Sequence, residues 1–291
     1  MRRARDPSPT TRRQHVRRVF DDRVQLEWKR YAGEPRRVLN RVLRERFLRL
    51  HLRGSRGNAL ELGPGPGRFS PILRSAIRGR VIAVDLSREM LRAARRRARG
   101  TSASRATHWV QGAGEHLPLS TRSIDVAVAF GNIVSFAADD GPVLLKELGR
   151  VVKPNGLLIA DFASPAAATQ EFFYVAAHRR LLPRILRRPH YFFIDRVLTT
   201  GFQPYDPDRF AQWAFRFYTV GEAKKAIVRA GFRLLDVMSV APIAATHNRI
   251  AAIARREGRM WEALLRIEEQ VGRRPGVLEA GEGFVVAAAR R

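Results

Sequence analysis

The densest chemistry in this chain lies in Ala59-Leu60-Glu61-Leu62-Gly63-Pro64-Gly65-Pro66-Gly67-Arg68-Phe69. A short apolar run carries one acid, three glycines then alternate with prolines, and a helix signal follows. Glycines at that spacing permit a tight turn and a close approach of a ligand to the backbone. In an open α/β sheet such a turn stands at the carboxyl edge of a strand, where ligands bind. A plain strand-to-helix connector is the alternative use. Asp85 is the second element, at the end of the next β-rich run, Val81–Val84. A carboxylate there can accept both hydroxyls of a ribose, or stand as a neighbour of a helix cap at Ser87. The third element is Gly112-Ala113-Gly114-Glu115-His116-Leu117-Pro118-Leu119, followed by Ser123-Ile124-Asp125-Val126. The fourth is Leu148-Gly149-Arg150-Val151-Val152-Lys153-Pro154-Asn155-Gly156-Leu157-Leu158, a helix end turning into a strand.

A nicotinamide dehydrogenase would share the sheet and the ribose-binding acid, but its Gly-x-Gly-x-x-Gly fingerprint meets Arg68 where the last glycine belongs. In their order and spacing the four elements resemble class I S-adenosylmethionine-dependent methyltransferases. The nearest group is that of the ubiquinone- and menaquinone-biosynthesis methyltransferases. The resemblance covers residues 59–161 and, more loosely, Thr219–Asp236 with its Ala230-Gly231-Phe232. It implies S-adenosylmethionine as cofactor and no metal. It also implies that Glu61 and the backbone at Gly63, Gly65 and Gly67 line the methionine and ribose side. Asp85 would take the ribose hydroxyls, with Leu86 and Met90 against the adenine and Ala113 and Gly114 at its other edge. Phe130, Gly131 and Asn132 would face the sulfonium and the acceptor. One departure stands out: relatives often read Gly-Asp-Ala where this chain has Gly112-Ala113-Gly114. The missing charged acceptor is a loss on the order of 1–3 kcal/mol, which backbone groups or Glu115 could offset.

Strand and helix signals alternate around these motifs. Strands are expected at Ala59–Leu62, Val81–Val84, Thr107–Val110, Ile124–Phe130, Leu157–Phe162, Phe232–Val240 and Phe284–Ala289. Helices are expected at Pro35–Arg53, Ser70–Ile77, from Ser87 to Arg99, at Val143–Val152, at Gly221–Ala230 and over residues 244–271, the last with a Glu262/Arg266 pair at i,i+4. This order predicts a Rossmann-like, doubly wound, mostly parallel seven-stranded sheet in an α/β domain, residues 59–291. Residues 1–58 form a basic N-terminal extension: 1–14 without periodicity and so read as disordered, then a short helix within Val16–Tyr31. In the Pro35–Arg53 helix Leu39, Leu43, Phe47 and Leu50 make an apolar stripe, and Arg37, Arg41 and Arg44 share another face. That face is either solvated or a nucleic-acid site.

An insertion at about residues 163–218 follows the fifth strand and holds 13 of the 25 aromatics. Trp213, Phe215 and Phe217 alternate as on a strand, with Tyr191–Thr200 as its expected partner. Such a cap suits a sizeable apolar or aromatic acceptor; the alternative is a small core of the insertion's own. His178, His190 and Tyr191 in it are candidates for a general base, with Tyr174 and Tyr205 beside them, while His116 reads as a surface residue.

Composition bounds the rest. The 291 residues are 45% hydrophobic, enough for one full α/β core. The absence of cysteine removes thiolate metal sites and every Cys nucleophile, including the one needed to methylate a pyrimidine C5. After the fourth strand the chain reads Phe130-Gly131-Asn132-Ile133, without the Asn/Asp-Pro-Pro-Tyr of exocyclic base-amine methylation. No apolar run reaches the ~18–20 residues of a membrane span. The arginine-rich start lacks a secretory apolar segment, so a cytoplasmic location is expected. The net charge is +27, carried by 54 basic and 27 acidic residues, with 18 basic against 6 acidic side chains before residue 59. It reflects either an arginine-biased composition or attraction to polyanions. The sequence thus points to methyl transfer by direct displacement to a small acceptor. The alternatives are an RNA or RNA-bound protein acceptor docking through Arg12, Arg13, Arg17, Arg18, Arg37 and Arg41, or a relative that binds cofactor or nucleic acid without turnover.

Overall fold

In the strands of this chain, neighbouring residues are buried on opposite faces, and two apolar cores result. The structure is a computed structural model that describes residues 8–100, 107–170, 192–205, 213–245 and 248–291. In chain order the elements are α1 (Pro9–Asp22), α2 (Val24–Lys29), α3 (Pro35–His51), β1 (Ala59–Leu62), α4 (Ser70–Ala76), β2 (Val81–Asp85), α5 (Arg88–Ala98), β3 (Thr107–Gln111) and β4 (Ile124–Ala129). There follow α6 (Ile133–Phe136), α7 (Gly141–Val151), β5 (Val152–Phe162), α8 (Phe192–Thr200), β6 (Phe202–Gln203), β7 (Phe215–Arg216), α9 (Val220–Arg229), β8 (Phe232–Ser239), α10 (Asn248–Ala254), α11 (Gly258–Gly272) and β9 (Phe284–Arg290).

Seven strands form one sheet in the order β3-β2-β1-β4-β5-β9-β8. Neighbours from β3 to β5 are parallel, with Leu60 opposite Ile82 and Ala127, whereas β9 runs antiparallel to both β5 and β8. This is the Rossmann-like, mostly parallel sheet expected from the sequence, with helices on both faces. Ala59, Val128, Ile159 and Val285 join Leu39, Leu43 and Phe47 of α3 on one face. Leu60, Ala127, Leu158 and Val286 join Leu144 and Leu148 of α7 and Ile227 of α9 on the other.

Local chemistry sets the helix starts. Ser87 accepts a hydrogen bond from the Met90 amide (3.0 Å) and caps α5 as expected. Thr219 and Glu222 form a reciprocal capping box at α9.

Several sequence expectations are corrected. The stretch 8–14 is not disordered: Ser8 caps α1 and Pro9 opens it, and its buried Val16 gives the helix a packed face. In α3 the stripe closes with Leu48 and Leu52, while Leu50 in the last turn is exposed. Arg44 is not on a solvated face but is 3% exposed, because it pairs with the buried Asp161. The stretch 244–271 is two helices, and Glu262 pairs with Arg46 of α3 across the packing between α3 and α11. The strand partner of Phe215–Arg216 is Phe202–Gln203, and Phe192–Thr200 is helical. His178, His190, Tyr191 and Tyr174 lie outside the described residues. Among the described residues no helix is long and apolar enough to cross a membrane.

Candidate active site

The carboxyl edges of β1, β2 and β4 open into one pocket, with an empty volume of about 1220 Å³ counting its open mouth. Parallel strands whose following helices fall on opposite faces leave such a crevice at the sheet's edge, and here it lies between β1 and β4. Gly63, Gly65, Asp85, Leu86, Met90, Gly114 and Phe130, all expected at a cofactor, line this pocket. Glu61, Gly67, Ala113 and Asn132 do not line it. Glu61 lies buried beneath the turn, Gly67 rests against Ala94 of α5, and Asn132 stands directly after the lining residue Gly131.

The glycine turn shows why its residues are glycines. Gly63 has φ +65°, its amide donates to Val84 O at 2.7 Å, and a Cβ there would collide with the Ile133 side chain. Gly65, at φ +53°, has open space where a Cβ would stand, so its backbone faces the pocket unshielded. The Gly65 amide donates to Asp85 Oδ2 (3.0 Å) and the Ser87 amide to Oδ1 (2.8 Å). Asp85 is thereby fixed against the turn, with lone pairs left on each oxygen for further donors.

Both acids are poised unusually. Burial pushes the Asp85 carboxyl up to about 6, against the two amides that pull it down, and Asp21 adds to the rise. Burial pushes Glu61 up to about 7, opposed by the Ser70 hydroxyl that donates to its Oε2 (2.6 Å) and aided by the charge of Asp85. Two buried acids raised toward neutrality on neighbouring strands beside one pocket make it a candidate functional site.

The third motif supplies an acid after all. Glu115, 6% exposed, lines the pocket beside Gly112 and Gly114, while Ala113 does not. Glu115 is thus the acid that this motif brings to the pocket.

The turn after β4 is held largely by residues the sequence did not single out, Asp161 foremost. Gly131 has φ +97° and Asn132 φ +60°, a region costly for a side chain. Asp161 at the end of β5 secures both: its Oδ2 accepts from the Gly131 amide (3.2 Å) and its Oδ1 from the Asn132 amide (2.7 Å). Arg44 Nε donates to the same Asp161 Oδ2 at 3.0 Å. From Arg44 the buried chain runs through Asn40 to Glu282, and Arg36 meets Glu282 at 2.9 Å. Apart from the Arg44–Asn40 contact within α3, each of these groups lies far from its partner along the chain, so no local pattern announces it.

The N-terminal extension forms the remaining wall. Arg12, Arg13, Val16 and Phe20 of α1 line the pocket, as do Glu27, Arg30 and Tyr31 in and after α2. Asp21 of α1 accepts from the Ser87 hydroxyl (2.6 Å), which ties the wall to the cap of α5. The described rings of the insertion buttress this wall: Trp213 packs on Phe20 and Phe136, and Phe215 on Phe136 (centroids 6.1, 5.5 and 4.8 Å). Tyr205 lies against His15 of α1. Of the six arginines considered for nucleic acid, Arg12 and Arg13 face the pocket. Arg37 pairs with Glu34 and Arg41 with Glu45, leaving Arg17 and Arg18 exposed.

Residues 60–160 match a family model described as a methyltransferase domain. The ubiquinone/menaquinone biosynthesis C-methyltransferase of Syntrophotalea carbinolica is 34% identical over 134 residues, 44% of this chain and 54% of that protein. The malonyl-[acyl-carrier protein] O-methyltransferase of Serratia marcescens is 34% identical over 133 residues, 45% of this chain and 48% of that protein. The chain thus spans about half the length of the curated relatives it matches. An S-adenosylmethionine-dependent methyltransferase from Mesorhizobium loti shares the fold, with a TM-score of 0.55 and 20% identity over 84% of this chain and 96% of that one.

Proposed function

From the class I S-adenosylmethionine-dependent methyltransferase domain that occupies residues 60–160, we propose that the chain transfers a methyl group to a small acceptor with a sizeable apolar part. The observation that carries this reading is the convergence of the unshielded Gly65 turn, Asp85 and Glu115 on one pocket, inside the matched region. These residues suit the cofactor. Asp85, fixed by two amides, takes the ribose hydroxyls, and Leu86 and Met90 pack on the adenine. Glu115 accepts from the adenine amino group in place of an acid at position 113. Glu61, held by Ser70, supports the turn on the methionine side.

When bound, S-adenosylmethionine supplies a methyl group already attached to a sulfonium leaving group. The chain's residues then have little covalent work to do, and orienting the acceptor for in-line attack supplies most of the rate. The Asp161–Arg44 pair fixes Gly131 and Asn132 at the acceptor side. Val16, Phe20, Phe130 and Phe136 present an apolar surface that excludes water from it. The rings suit an apolar or aromatic acceptor.

The test is transfer of labelled methyl from S-adenosylmethionine into fractions of a bacterial extract. Label in the small-molecule, organic-soluble fraction, lost with Asp85→Ala, supports the reading. Label confined to RNA or protein supports the macromolecular alternative, and no label in any fraction contradicts both.

A further inference from the structure

Helix α1 faces the pocket along one stripe. Arg12, Val16 and Phe20 recur every four residues, with Arg13 beside them, so a single helix face carries cations at one end and apolar groups at the other. The other two pocket arginines are engaged: Arg30 pairs with Glu27 at 3.1 Å, and Arg68 donates to Trp28 O and lies over the Trp28 and Tyr31 rings. Arg12 and Arg13 are not fully used. Arg12 reaches Asp139 at 3.2 Å and Asp140 at 3.9 Å, yet its buried Nε–H has no hydrogen-bond partner among the described residues. Arg13 has no carboxylate within ion-pair distance among the described residues. A buried guanidinium N–H without an acceptor costs free energy until one arrives. A guanidinium pair is matched in geometry to a carboxylate or a phosphate.

We propose that the pocket takes an amphiphile, with a carboxylate or phosphate held by Arg12 and Arg13 and an apolar body lying along Val16, Phe20 and Phe136. That this amphiphile is the methyl acceptor rests on the methyl-transfer reading; the oxyanion site itself does not. The basic N-terminal extension is then a substrate-binding wall rather than an arm for a polymer.

The probes are decanoate, decyl phosphate and decanol, which share one chain and differ in the head. They are titrated against the full chain with and without S-adenosylhomocysteine and followed by tryptophan fluorescence, since Trp213 packs on Phe20. A charge-assisted contact predicts that at least one anion binds about tenfold or more tighter than decanol. The preferred head tells carboxylate from phosphate. Arg13→Gln should bring that ratio down to about twofold or less, and Arg12→Gln should lower it as well. The double variant Arg17→Gln/Arg18→Gln removes two exposed charges from the same helix and should keep the ratio, which separates a site from a general field.

Decanol binding as tightly as both anions overturns the proposal, as does an anion preference that survives loss of both Arg12 and Arg13. A large fall in S-adenosylhomocysteine affinity in Arg13→Gln also overturns it, by assigning that guanidinium to the cofactor's carboxylate. A chain that prefers an anion yet binds no S-adenosylhomocysteine keeps the oxyanion site and sinks the methyl-transfer reading instead.

Discussion

Replacing Asp161 by alanine tests how the Gly131–Asn132 turn is held. Asp161 is 1% exposed and Arg44 3%, so neither charge is relieved by solvent. The substitution leaves the guanidinium buried with Asn40 as its remaining hydrogen-bond acceptor, and losing one member of a buried pair costs about 3–5 kcal/mol. The Gly131 and Asn132 amides lose their acceptor too, which adds about 1 kcal/mol or more where water cannot reach them. The sum is a large part of the ~5–15 kcal/mol that holds a domain together. Urea unfolding should show a much lower midpoint at an unchanged slope. Arg44→Met/Asp161→Leu, which removes both charges and fills their space, should cost far less than the two single changes added together. The expected coupling is about 2 kcal/mol or more. A single-variant loss below about 1 kcal/mol, or strict additivity, would show that the pair does not organise the Gly131–Asn132 turn.

Further outcomes follow from other residues. Glu61 titrates near 7 in the fold against 4.5 when free. Its ionisation therefore opposes folding: the cost is absent below pH 4.5, grows between the two values, and is complete above 7 at roughly 3 kcal/mol. Glu61→Gln, whose carbonyl can still accept from Ser70, should raise the stability at pH 8 and leave it unchanged at pH 4; equal effects at both would refute the assignment. Gly63→Ala should destabilise by at least about 1–2 kcal/mol from its positive φ alone, and should shift Ile133 in the pocket wall. Calorimetric melting measures the first effect. Thr219→Ala should cost about 1 kcal/mol by opening the capping box of α9, and a melting point equal to the parent's would contradict that role.

The parts of the fold that a sequence can announce are those with local causes. Fully apolar runs such as Val126–Phe130, a capping serine at position 87 and the Gly63–Gly67 turn each follow from neighbouring residues. So the sheet and the glycine-turn edge of the pocket were readable, and the sheet's register with its antiparallel β9 completed them. What stayed hidden depends on distant partners. Arg44 and Asp161 stand 117 positions apart, and arginine ordinarily lies at the surface, so a buried pair leaves no local trace. Residues 8–14 read as disordered for the same reason. They belong to helix α1, whose later residues anchor it through Phe20 meeting Phe136 and Trp213 and Asp21 meeting Ser87. Glu115 was only a conditional candidate, because nothing in Gly112–Glu115 says which residue faces inward.

S-adenosylmethionine binding at the Gly65–Asp85 edge underlies the methyl transfer proposed for the pocket. Calorimetric titration with S-adenosylhomocysteine at pH 8, where Asp85 is ionised, tests it most directly, with NAD and the Asp85→Ala chain as controls. Saturable binding of S-adenosylhomocysteine, no heat with NAD, and an affinity loss of about tenfold or more in Asp85→Ala are the predicted results. Equal affinity in the two chains, or no binding by the parent, would contradict the assignment of this edge as the cofactor site.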